Sequence, residues 1–376
     1  MINKVISIGE ALGRSRDYFM RTQDDKGYWC GELESNVTMA AEYLLLTHFL
    51  GCGDKLRWKK VANYLKENQR ADGSWSIWFN GPPDLNASVE SYFALKMAGV
   101  SADDPMMIKA RNFILSEGGL QKTRIFTRIW LSLFGQWSWK SIPCIPVEFM
   151  LMPLWFPLNI YKFACWARGS VVPMMIIFSK RPICQVPDYG RIDELQLNPN
   201  KARRFGAIRI ANITNIFSWS TFFKIMDKYL NFYECVPIRP FRKIALSKAV
   251  DWIIERQEAD GSWGGIQPPW VYSLMALKVM GYQLDHPVMK KGIDGIESFA
   301  IEDSDTFRPQ ACVSPVWDTA LAMIALHDSG IDSDHPNLVK GAQWLIQEQV
   351  LTGGDWQLGV RGVQPGHYSG PGTLRG

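Results

Sequence analysis

The residue types best suited to chemistry are few in this chain and poorly grouped for it. Its five His (48, 286, 327, 335, 367) show no metal-ligand spacing, and its seven Cys form no Cys-x-x-Cys pair. That pattern argues against a disulfide framework and against a zinc ribbon. The expectation is a reducing compartment and no metal. The strongest recurrent constellation joins an amide, a carboxylate and an indole. Gln257-Glu-Ala-Asp-Gly261-Ser-Trp263 is nearly repeated at Gln69-Arg-Ala-Asp-Gly73-Ser-Trp75. Looser copies run from Gln349 to Trp356 and from Gln23 to Trp29. A Gln at a helix C-terminus meets carbonyls that lack partners, and Asp-Gly makes a turn. The Trp either stacks on the Gln and the next helix's start, tying neighbouring units together, or simply plugs the turn. Both readings are structural, not catalytic.

The spacing of these strings sets the elements around them. The Gln positions are separated by 46, 188 and 92 residues, close to one, four and two times about 47. A fixed period signals a repeat architecture, so degenerate copies are expected between, one at Glu117 and one leading to Glu302. Each strong copy follows a charged helical run. Between them lie second helices, Asn36 to Leu46, Ala87 to Met97, Val271 to Met280 and Val316 to Leu326, rich in Ala and Leu and apolar round most of their circumference. Helices of that kind are buried. Gly99, Gly281 and Gly330 supply the stops. Buried inner helices paired with charged outer ones favour an all-α fold, a closed α/α barrel over an open solenoid.

Composition excludes several functions. Charged residues are 21 % and net charge is +4, with no basic run of the nucleic-acid-binding kind. The aromatic share of 12 % suits an apolar cavity or many plugs between units. The start of the chain is not a signal peptide, and no apolar stretch reaches spanning length. Ile142 to Phe178, the most apolar region, is broken by five Pro and reads as a buried, kinked segment. Ile208 to Tyr233 is dense in aromatic and aliphatic residues, with Arg239, Arg242 and Lys243 close behind. It reads either as a helix lying in a membrane interface or as an ordinary core helix.

With these strings in hand, the chain resembles the squalene–hopene cyclases. Besides the Gln–Trp copies, the likeness is carried by Ser35-Asn-Val-Thr-Met39, Pro83-Asp-Leu-Asn86, Phe126-Thr-Arg128-Ile-Trp130 and Pro157-Leu-Asn-Ile160-Tyr. Trp166-Ala-Arg168, Gln267-Pro-Pro-Trp270 and Ser314-Pro-Val-Trp317-Asp-Thr319 add to it. It runs from about residue 10 to about residue 365. The resemblance implies an α/α barrel of the terpenoid cyclase and protein prenyltransferase type. It also implies polycyclisation of squalene or a similar C30 polyene by a carbocation cascade, with no cofactor and no metal. It places Trp166 and Trp317 on the substrate cavity, with core packing as the plain alternative, and Pro268 as a residue shaping the same pocket. It assigns Glu42, Glu90, Arg128 and Gln267 to a polar network around an ordered water where the cascade ends. Glu90 and Arg128 equally suit a buried ion pair.

One departure decides the expected activity. The family's proton donor sits in an Asp-x-Asp-Asp motif, and this sequence has none; Asp303-Ser-Asp305 and Asp332-Ser-Asp334 have the wrong form and come too early. The expected division is an N-terminal segment (1–24) belonging to a second, truncated barrel, a complete barrel (25–280), the first helices of the second (281–365) and an aberrant tail (366–376). The expected function is the N-terminal part of a cyclase, inactive alone, at the cytoplasmic face of the membrane as a monotopic protein. The alternatives are a half-enzyme completed by a separate C-terminal chain, or a non-catalytic, membrane-associated isoprenoid-binding protein. Partners would be the polyene, a membrane surface, and a C-terminal half or a second copy, with no nucleic acid. A prenyltransferase β-like barrel needs a zinc set of Asp, Cys and His, which is absent.

Overall fold

The computed structural model describes residues 7–33, 35–157, 159–197, 219–351, 353–354 and 367–368, with backbone alone at 219–220, 222–224, 235 and 367–368. The described chain is mostly helical. Its helices are α1 (Ile8–Thr22), α2 (Val37–Leu50), α3 (Lys55–Glu67), α4 (Leu85–Met97), α5 (Pro105–Ser116), α6 (Ile125–Leu133) and α7 (Cys165–Lys180). Then follow α8 (Trp219–Cys235), α9 (Arg242–Glu255), α10 (Gln267–Val279), α11 (Pro287–Ser298), α12 (Pro315–Asp328) and α13 (Pro336–Gln347). Strands are limited to short antiparallel pairs, such as Trp75–Ser76 with Pro83–Asp84 and Ala300–Glu302 with Phe307–Pro309.

The apolar helices form the inside. On α4 every residue from Ala87 to Met97 is buried, and α2 and α10 are nearly as covered. α2 packs on α4 and on α10, α4 touches α6, and α7 runs along α10. At that last contact Gly169 lies against Pro269, where a Cβ would come within 3.1 Å of the ring. The more charged α3, α5, α9 and α11 sit outside, each against an inner helix. Burying those apolar surfaces supplies the main driving force for the fold.

The Gln–Trp strings share one geometry at three sites. Gln69 Nε2 donates to Gly73 O (2.9 Å) and Met106 O (3.0 Å). Gln257 Nε2 donates to Gly261 O (3.1 Å) and Val288 O (2.8 Å). Gln23 Nε2 donates to Gly27 O (2.7 Å) and Asn337 O (2.8 Å). For Gln69 and Gln257 the second acceptor is in the first turn of the next outer helix, and for Gln23 it is in the first turn of the distant α13. The indoles of Trp75, Trp263 and Trp29 donate back to Leu65 O, Ile253 O and Phe19 O, each at 2.7 Å. Glycine is required in the turn: Gly261 has φ +91, and a Cβ there would lie 2.1 Å from Lys291 O. At the fourth string, Gln349 is described and Trp356 lies outside the described residues. Glu117 only ends α5, and Glu302 is drawn into an ion pair with Lys60, so neither repeats the Gln geometry.

One region differs from expectation. In 142–178, Val147, Met150, Ile160 and Met175–Ile177 are buried, but Leu154, Trp155, Phe163 and Trp166 are exposed. Pro173 is accommodated inside α7 without ending it. α12 buries only Thr319, Ala322 and Leu326, and leaves Trp317, Leu321 and Ile324 exposed along one face. With α1 and α13 it forms a small second cluster around Trp29 and Leu338.

Candidate active-site wall

The N-terminal ends of four inner helices bring two carboxyl groups together. Glu42 lies in the second turn of α2, and Glu90 in the second turn of α4, where it is 2 % exposed. Thr127 on α6 donates from Oγ1 to Glu90 Oε1 at 2.5 Å, while Glu90 Oε2 has no partner. Trp130 lies one turn further along α6, its ring 6.3 Å from that of Tyr272 on α10. The Trp130 indole N–H faces Glu42 and Tyr272 without completing a well-aligned hydrogen bond to either.

The electrostatics follow from this crowding. Burial pushes the Glu42 carboxyl well above the ordinary range, and the Glu90 charge pushes it further; Trp130 and Arg124 act the other way. Burial likewise raises Glu90, against the Thr127 hydrogen bond and the Arg124 charge. Tyr272 is raised by burial and by both carboxylates, and is therefore a neutral donor. Two like charges in one largely buried site cannot both be carried cheaply, so protonation of one carboxyl is favoured. Such a site can accept a proton at an unpartnered oxygen, or hold a polar guest such as water.

Arg124 is the cation in range, and the sequence reading missed it in favour of Arg128. Arg124 is the extended residue that caps α6 (φ −71, ψ 167), and its backbone N–H donates to Asn86 Oδ1 at 2.7 Å. Arg128 is engaged elsewhere: Nη2 donates to Gln121 O (2.8 Å), Nε reaches Thr123 Oγ1 (3.4 Å), and the guanidinium lies over Trp137. It makes no ion pair with Glu90, whose single hydrogen bond is to Thr127.

The other expected site residues take varied positions. Gln267 is 1 % exposed; its Nε2 donates to Met39 O (3.2 Å) and its Oε1 is unpartnered. Pro268 is exposed in the first turn of α10. The contact of Gly169 with Pro269 puts Trp166, one turn earlier on α7, at the same end as Pro268. Trp166 is 59 % exposed and Trp317, in the first turn of α12, is 67 % exposed. Neither plugs the core. Asp318 serves as a clamp, accepting from Gly31 N (2.9 Å) and Ser314 Oγ (3.0 Å). Among the described residues no group of three or more His, Cys, Asp or Glu is placed to hold a metal.

Comparison with known proteins adds two findings. A model described as the squalene-hopene cyclase N-terminal domain matches residues 12–305, and one described as the squalene-hopene cyclase C-terminal domain matches 313–370. The squalene–hopene cyclase of Alicyclobacillus acidocaldarius is 43 % identical over 95 % of this chain and 56 % of its own length. The dammaradiene synthase of Dryopteris crassirhizoma is 36 % identical over 92 % of the chain and 50 % of its own. A squalene hopane cyclase of Aspergillus fumigatus is 38 % identical over 93 % and 48 %. The chain thus spans about half the length of these relatives.

Proposed function

The chain belongs to the squalene–hopene cyclase family, and we propose that it supplies one wall of a cavity in which squalene or a similar C30 polyene is cyclised through carbocations. In this reading the Glu42–Glu90 pair serves the end of the cascade, where the last cation loses a proton or is captured by water. The observation that carries it is the carboxyl pair, Glu90 buried and Glu42 partly covered, next to Trp130 and Tyr272 and within the field of Arg124, with Glu90 Oε2 unpartnered. A proton or a water can be received at that free oxygen. Trp166 and Trp317 would offer aromatic faces to the cationic chain.

Initiation needs a stronger acid than an ordinary carboxyl. The resemblance locates it in an Asp-x-Asp-Asp motif that this sequence lacks, so the 376 residues alone would bind a polyene and not turn it over. The test is incubation of the purified chain with squalene. Bound, unreacted substrate is expected, and any pentacyclic product would overturn this assignment.

Membrane contact is a second part of the reading. On α8, Ile225, Tyr229 and Phe232 are exposed at helical spacing, and Ile238, Phe241 and Ile244 continue the apolar surface beside exposed Lys228 and Lys243. That arrangement suits a helix lying in the interface. Arg242 anchors it from below, donating to Glu148 (2.7 Å) and to the buried Glu234 of α8 (2.6 Å). Residues 208–218 lie outside the described residues, as do the side chains of Phe222 and Phe223. No described helix is long and apolar enough to cross a membrane.

A further inference from the structure

We propose that Thr127 is a positioning residue for the carboxyl pair: by donating to one oxygen of Glu90, it leaves the other as the place where that carboxyl takes or gives a proton. The inference rests on the reading of the pair given above. Thr127 is 0 % exposed and Glu90 2 %, and their oxygens are 2.5 Å apart. The competing acceptor for the Thr127 hydrogen, Asn86 Oδ1, is 3.5 Å away and already receives the Arg124 backbone N–H at 2.7 Å. That bond also holds the start of α6 against α4, three residues before Thr127. A Thr on a helix has two common rotamers, and the 2.5 Å bond to Glu90 shows which one the hydroxyl takes.

The consequence is directional. Glu90 Oε1 is occupied as an acceptor and Oε2 has no partner. The charged and titratable groups that face Glu90 are Glu42 from α2, Asp84 at the start of α4, Arg124 before α6, and Tyr272 from α10. They act on Glu90 through space. Thr127 makes the one hydrogen bond Glu90 receives, so it alone selects between the two oxygens.

A donor to the carboxylate form favours that form and lowers the pKa, so removing it must raise the pKa. The test uses the full 376-residue chain and infrared titration of its buried, protonated carboxyl groups. Glu90→Gln identifies the Glu90 band by its loss. Thr127→Val keeps the shape and removes the donor, and the band's midpoint should move up by about one to two pH units. Thr127→Ser should return the midpoint to the parent value. Thr127→Ala should repeat the Val result, which covers the case in which Val disturbs folding; circular dichroism reports helicity in each variant. An unmoved midpoint in the Val and Ala variants, or an equal shift in the Ser variant, removes the role of Thr127 and leaves the pair standing. Absence of any Glu90 band in the parent chain removes the pair reading and this inference with it.

Discussion

Substitution of Gln257 tests how the units of the barrel are held together. Its amide donates to Gly261 O at 3.1 Å and to Val288 O at 2.8 Å, so one side chain fixes both its own turn and the first turn of α11. Gln257→Leu keeps the bulk and removes both donors. At about 0.5–1.5 kcal/mol net per bond, the loss should be about 1–3 kcal/mol. Gln257→Glu should cost more above pH 6, because it places a carboxylate against two carbonyl oxygens, and less in acid, where the protonated group recovers one donor. Gly261→Ala should be worse than either, since φ is +91 and the new Cβ would meet Lys291 O at 2.1 Å. Gln69→Leu probes the equivalent bonds in another unit, and two such distant sites should add. Urea unfolding followed by circular dichroism gives the values. A Gln257→Leu change below about 0.5 kcal/mol would show that the string is only a turn with a Trp plug.

The carboxyl pair predicts a pH effect on stability. Glu90 is raised in the folded state by burial, so the stability it contributes is present below the ordinary carboxyl range and is lost as pH rises through its raised value. Glu90→Gln should therefore gain stability relative to the parent between pH 5 and pH 8, by at least about 1 kcal/mol; equal dependence in both proteins would remove the desolvated state. Phe232→Glu with Phe241→Glu, both at exposed positions, should release the chain from sedimenting liposomes, and unchanged sedimentation would take α8 out of the membrane reading. Trp166→Ala and Trp317→Ala should leave thermal unfolding nearly unchanged, because both side chains are mostly exposed, yet weaken binding of the neutral polyene by about 1–3 kcal/mol each through lost apolar contact. A large loss of stability would make them packing residues.

The repeat was legible because the same residues do the same job at each copy: Gln69, Gln257 and Gln23 make equivalent bonds. The inner helices were legible because α4 is apolar round most of its circumference and is buried from Ala87 to Met97. α12 is as rich in Ala and Leu and is not covered, a difference set by its neighbours. At the site, Glu42 and Glu90 were found through the resemblance. Arg124 was not, because a capping residue in extended conformation leaves the helical register that spacing arguments assume. Thr127 carried no signal of its own; a buried hydroxyl acquires its role from the acceptor opposite, and Glu90 is 37 residues away in sequence.

The central claim, that this chain forms the terminating wall of a polyene cyclase, is tested most directly by product analysis in a completed enzyme. Fusion at Pro365 to the part of the Alicyclobacillus cyclase beyond its matched region adds what this chain does not cover of that relative. Squalene products are then compared between that fusion and its Glu42→Gln, Glu90→Gln double variant. The account predicts cyclised triterpenes from the fusion, and a changed ratio of water-captured to deprotonated products in the double variant at similar substrate affinity. A folded double variant that turns over squalene to an unchanged product mixture would contradict it.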